Sequence, residues 1–130
     1  MKVVSGSVRI EILARKDCPN RGMARIVVDR AVAKSGVPAE VSTVDVKTES
    51  QARKRRFLGS PSVRVGGIDV EPGSIGRTDF SLGDRIYRYG LGGLQGWPAE
   101  SWIRSALLVA SAQSASNGDG SSGRSSDTRP

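Results

Sequence analysis

Histidine is absent from this chain, and cysteine occurs once, at Cys18. These two scarcities remove the usual general base, any Ser-His or Cys-His catalytic pair, and an ordinary structural zinc site. A single thiol cannot close an internal disulfide, so no disulfide scaffold is available. No GK[ST] tripeptide occurs, which excludes a phosphate loop of the Walker type. No apolar run reaches the roughly 18 residues of a membrane helix. The opening MKVVSGSVRIEILARKD lacks the continuous apolar region and cleavage site of a signal peptide. A soluble, cytoplasmic protein is therefore expected, with no membrane partner, no bound metal and no cofactor.

Positive charge is plentiful: the formal net charge is +7. Part of it lies in KTESQARKRRF, where Lys47, Arg53, Lys54, Arg55 and Arg56 face only Glu49. Such a run most often forms a solvated helix face. Neither an aromatic platform nor a recognisable motif accompanies it, so nucleic acid is not the expected partner.

The chain reads as one domain over residues 1–110, followed by a Ser/Gly-rich tail over 111–130 whose composition cannot bury a core. Val8, Ile10 and Ile12 alternate with polar residues, the period of a half-buried strand. After Cys18-Pro19, Met23, Ile26, Val27, Ala31 and Lys34 fall on one side of a helix that stops at Gly36. A second strand, less cleanly patterned, covers AEVSTVDV. Thr48 and Gln51 form a capping-box pair, and the basic helix that follows is expected to run to Phe57-Leu58 and end at Gly59. Val63 and Val65 mark a third strand; Gly66-Gly67 turns it into IDV. The loop over residues 71–83 is longer than most connections. Ile86, Tyr87 and Tyr89 suggest a short extended piece, and Gly92-Gly93 a turn. Pro98 suits the first turn of a last helix carrying Trp102, Ile103, Ala106 and Leu107.

Cys18 is placed between a strand and a helix, and that placement has chemical meaning. The first turn of a helix presents unpaired N–H groups and the positive end of the dipole, both of which stabilise a thiolate. Pro19 presets the helical φ, and Arg15, Lys16 and Arg21 add positive charge against Asp17. An inert, buried cysteine is the plainer alternative. Ser60-Pro61, between a helix and a strand, is a place where a cis bond would make a sharp corner.

Three stretches carry a resemblance: VRIEILARKDCPN, RRFLGSPSVRVGGIDVEPG and DRIYRYGLGGLQGWPAESWIRSAL. They resemble a bacterial branch of small thioredoxin-like proteins, some of which place selenocysteine at the cysteine position. The resemblance implies an α/β thioredoxin-like fold in the order β-α-β-α-β-β-α, with a central mixed four-stranded sheet flanked by helices. It also implies a nucleophilic Cys18, a cis Pro61 facing it, and a Ser60 main chain that holds an extended substrate, with Pro19 beside the thiol. Two departures matter. Arg21 stands where a CxxC motif needs its second cysteine, and Asp84 stands where related chains carry a cysteine before Arg-x-Tyr. Asp84 is then either a solvent-facing carboxylate or a group that orients a proton.

With one thiol, only the first half of disulfide exchange is available to the chain itself. The expectation is single-cysteine exchange completed by a low-molecular-weight thiol or a thiol/disulfide protein partner. The alternatives are a non-catalytic thioredoxin-fold binding module or a soft-metal or organomercurial-handling protein.

Overall fold

The computed structural model describes residues 7–90 and 93–119. Strand β1 (Val8–Ala14) buries Val8, Ile10 and Ile12 on one face and Leu13 on the other, as period-two alternation requires. Helix α1 (Arg21–Ser35) follows and ends at Gly36, whose left-handed φ of 71° lets its N–H reach the Val32 carbonyl at 3.2 Å. The crossover returns the chain as β2 (Ala39–Asp45), parallel to β1 from Val8↔Ala39 to Ala14↔Asp45. A parallel neighbour needs such a helical crossover.

Helix α2 (Glu49–Lys54) opens at Thr48, whose side chain accepts from the Gln51 N–H at 3.1 Å, while the Gln51 side chain accepts from the Lys47 N–H at 2.7 Å. The capping pair is where the sequence places it, but the helix is shorter than expected. It stops at Lys54 because Arg56 adopts φ 56°. Arg56 N–H then bonds the Arg53 carbonyl and Phe57 N–H the Ala52 carbonyl, the paired bonds of a Schellman stop. Phe57 leaves the helix and enters the core.

Strand β3 (Ser62–Val65) runs antiparallel to β1, and β4 (Ile68–Asp69) closes a hairpin on it. Gly66 and Gly67 both have positive φ, 60° and 84°, as a tight two-residue turn demands. The resulting four-stranded mixed sheet has the order β2-β1-β3-β4. Two further short strands, β5 (Tyr87–Arg88) and β6 (Leu94–Gln95), pair with each other. The extended piece thus ends before Tyr89, and the expected turn at Gly92-Gly93 falls partly outside the described residues. Helix α3 (Glu100–Asp119) completes the fold.

Two apolar clusters flank the sheet. On one face Ile10, Ile12, Val63 and Val65 meet Ala24, Val27, Val28 and Ala31 of α1 and Ile103 and Leu107 of α3. On the other, Leu13 packs with Val46, Ala52 and Phe57. The buried face of α1 is rotated from the expected one: Ala24 and Val28 are interior, whereas Ile26 is exposed and Lys34 reaches Glu100 of α3 at 2.9 Å. Small residues let α1 lie close to the sheet, and the ion pair explains why a charge sits beside α3. Pro98 is buried but precedes α3, whose first carbonyl acceptor is Ala99. The helix also continues to Asp119, past the expected tail boundary at 110; residues 120–130 lie outside the described ones.

Adjacent leucines on α3 test this register. Leu107 is fully buried and Leu108 half exposed. In urea unfolding, Leu107→Ala should lose about 2–5 kcal/mol and Leu108→Ala no more than about 0.5 kcal/mol. Equal losses would contradict the assigned face.

Candidate functional site

The C-terminal end of β1 delivers the chain to two consecutive turns. Cys18 N–H donates to the Arg15 carbonyl at 3.2 Å, and Arg21 N–H donates to the Cys18 carbonyl at 3.3 Å. The helix begins only at Arg21, with Asn20 as its N-cap residue. Pro19 is therefore an exposed turn residue rather than the first helical position, and Cys18 lies outside the first turn of α1. This corrects the expected placement: the 18–21 turn consumes the residues that a Cys-Pro helix start would have used. Cys18 is 7% exposed.

Arg21 has an electrostatic task. Its guanidinium pairs with Asp45 at the end of β2 at 2.8 Å and donates to the Arg15 carbonyl at 3.2 Å. It thereby fastens the cysteine turn to the sheet's edge strand.

Ser60 connects the same turn to β3. Its hydroxyl accepts from the Arg15 N–H at 3.0 Å, and the Ser60–Pro61 bond is cis. Both residues are buried. The main chain of Ser60 is already engaged: its N–H donates to the Gly83 carbonyl at 2.8 Å and its carbonyl accepts from the Arg85 N–H at 2.9 Å. Residues 83–85 form a one-residue parallel bridge on it, Ser60↔Asp84. Both main-chain groups through which Ser60 was expected to hold a substrate are thus hydrogen-bonded within the chain. Gly59 makes the approach feasible. It has φ 122°, and a side chain there would lie 2.9 Å from the Arg85 Cβ.

Asp84 is exposed, and its carboxylate pairs with the Arg15 guanidinium at 2.8 Å. Arg15 also donates to the Leu82 carbonyl at 3.0 Å and to Asp17 at 3.2 Å. The hydrogen bond to Asp84 is the main reason Arg15 is held above its ordinary guanidinium value. Asp84 therefore faces an arginine that ties the 82–84 segment to the start of the cysteine turn.

Arg85 holds that segment from beneath, and the sequence reading missed it. It is 3% exposed. Its guanidinium meets Asp69 at 2.6 and 2.9 Å, Glu71 at 2.8 Å and the Ser62 hydroxyl at 2.9 Å, and lies 4.5 Å over the Tyr87 ring. Burial disfavours its charge, but the bonds to Asp69 and Glu71 outweigh burial and hold it above its ordinary value. Tyr87, fully buried, donates its hydroxyl to the Pro61 carbonyl at 2.6 Å. A signal for this cluster did exist: Asp69 and Glu71 stand two apart beside the apolar Val70, and two carboxylates require a cation if covered.

The structure brings Cys18, Ser60, Pro61 and Asp84 to one end of the sheet, with Arg15 between them and Arg21 at the flank. Among the described residues no three His, Cys, Asp or Glu side chains gather to hold a metal ion. No helix of the described residues is long and apolar enough to cross a membrane. No family model, no curated protein and no solved structure matches the chain.

The two charged residues of the 83–85 segment should differ sharply in energetic weight. Arg85→Leu strands the Asp69 and Glu71 carboxylates and should destabilise the fold by about 3–5 kcal/mol, whereas Asp84→Asn, at an exposed pair, should cost about 1 kcal/mol or less. Denaturant midpoints check both. Near-equal values would show that Arg85 does not anchor the segment.

Proposed function

We propose that the chain is a thioredoxin-like protein that performs thiol–disulfide exchange through Cys18 alone. The observation that carries this reading is the hydrogen bond from the cysteine turn to Ser60, immediately before the cis Pro61. The strand order β2-β1-β3-β4, with α1 crossing between the two parallel strands, supports the same reading. So does the position of the thiol at the end of β1, where the turn brings it to the rim of the sheet rather than into either apolar cluster.

In the first step the Cys18 thiolate attacks one sulfur of a disulfide R–S–S–R′. A Cys18–S–S–R bond forms and R′S⁻ leaves with the electron pair, taking up a proton from solvent. Arg21 occupies the position from which a second cysteine would resolve this intermediate. An external thiolate R″S⁻ attacks the R sulfur instead, producing R–S–S–R″ and regenerating the Cys18 thiolate. The external partner is a low-molecular-weight thiol or a thiol/disulfide protein. An extended substrate could align on Ser60 and Pro61 only if residues 83–85 lift away, since they hold both main-chain groups of Ser60.

That same engagement favours a second reading, a thioredoxin-fold binding module without turnover. A thiol of 7% exposure fits a structural cysteine as well. Soft-metal or organomercurial handling has less support, because one thiolate can capture a soft ion but tight chelation calls for two.

Oxidised glutathione distinguishes the readings. Native chain should acquire one glutathionyl adduct at Cys18 by intact mass, and reduced glutathione should then remove it. Cys18→Ser should acquire none. An adduct that forms only after denaturation would contradict exchange and leave the binding module.

A further inference from the structure

The basic run that the exchange reading leaves unused ends in a cavity of its own. About 360 Å³ of space lies between the C-terminal end of α2, the β3–β4 hairpin and residues 74–80. Arg55, Arg56, Arg64 and Arg77 line it, together with Ser74 and Phe80. Its acidic residue, Asp69, is fully committed to Arg85 and to the Glu71 N–H. Arg77 is committed to Asp79, at 2.6 and 2.9 Å. Among the described residues Arg55, Arg56 and Arg64 form no ion pair. Arg64 spends its guanidinium on the carbonyls of Arg55 and Arg56, at 2.6 and 3.1 Å. Burial, reinforced by Arg55 and Arg85, pushes Arg64 below its ordinary guanidinium value.

Two independent features mark this cavity as a site rather than a charged surface. Ser74 is 6% exposed, and its hydroxyl has no hydrogen-bond partner. A buried hydroxyl without a partner is unfavourable unless something fills its need. Arg56 has φ 56°, at the helix-stop position that glycine normally occupies. A bulky cation there opposes the local backbone preference. Its guanidinium lies 4.9 Å over the Phe80 ring, at the cavity wall.

We propose that this cavity binds the phosphoryl group of a small phosphate ester, with Arg55, Arg56, Arg64 and the Ser74 hydroxyl as its donors. A phosphoryl group carries nearly two negative charges and three acceptor oxygens, a match for the guanidinium groups of Arg55 and Arg56, the Arg64 nitrogens not spent on carbonyls, and one hydroxyl. A carboxylate would leave most of that charge unanswered. Phe80, Leu58 and the exposed Ile75 offer an apolar rest for the body of the ester, so an aromatic or apolar ester should bind better than inorganic phosphate.

Phenyl phosphate and inorganic phosphate, titrated into ¹⁵N-labelled full chain at fixed ionic strength, provide the test. Amide shifts should concentrate at 55–58, 64 and 74–80, with phenyl phosphate the tighter ligand. Arg56→Gly should weaken binding about tenfold while its melting temperature stays the same or rises, since glycine adopts that φ freely. Ser74→Ala should weaken binding about fivefold with no loss of stability. Wild-type affinity in both variants, or shifts spread evenly over the basic surface, would overturn the proposal. So would a single-stranded oligonucleotide that phenyl phosphate fails to displace and whose binding is lost in Arg53→Gln/Lys54→Gln; that outcome would assign the run to a polynucleotide.

Discussion

A guanidinium removed from water must find carboxylates or surrender its place in the interior, and Arg85 satisfies that requirement across three parts of the chain. Asp69 of β4, Glu71 just beyond it and Ser62 of β3 all converge on its two terminal nitrogens. With Arg85 fixed, its own N–H reaches the Ser60 carbonyl, Gly83 meets the Ser60 N–H, and Tyr87 arrives at Pro61. The 83–85 segment paired with Ser60 is therefore an outgrowth of one buried charge cluster. Arg15 adds a second tie through Leu82 and Asp84.

This construction shapes what the thiol can do. The cysteine turn is tied to β2 by Arg21, to β3 by Ser60 and to residues 82–84 by Arg15. Support of that kind would position a nucleophile in the proposed exchange, yet it also engages the Ser60 main-chain groups on which an extended substrate would lie. Exchange with a small disulfide needs little more than access to sulfur, whereas exchange with a protein disulfide needs Ser60 released. On the proposed exchange reading, small thiol partners therefore fit this architecture better than extended peptides.

The order from β1 to β4 was legible because it rests on local signals, whereas the short β5–β6 pair before α3 was not expected. Alternating Val8, Ile10 and Ile12, the Thr48–Gln51 cap, the Gly66-Gly67 turn and the Gly36 stop each act within a few residues. The misread details arise where distant packing prevails. The inner face of α1 is set by Ala24 and Val28 against the sheet, and helical spacing alone could not choose them over Ile26. Arg56 ends α2 in a conformation that arginine rarely takes, so the expected end at Gly59 came too late. Arg85 had no reading of its own because its partners lie 14 and 16 positions earlier in the chain. The candidate site divides likewise: Cys18 and the Ser60-Pro61 corner could be read, while the bonds that close over Ser60 could not.

Native-state hydrogen exchange at the Ser60 and Arg85 amides tests the central claim most directly. If Arg85 locks residues 83–85 onto Ser60, both amides should be strongly protected and should open together, at one shared rate, under conditions where opening precedes exchange slowly. A Ser60 amide that exchanges as fast as an exposed loop amide, while β1 remains protected, would contradict the account.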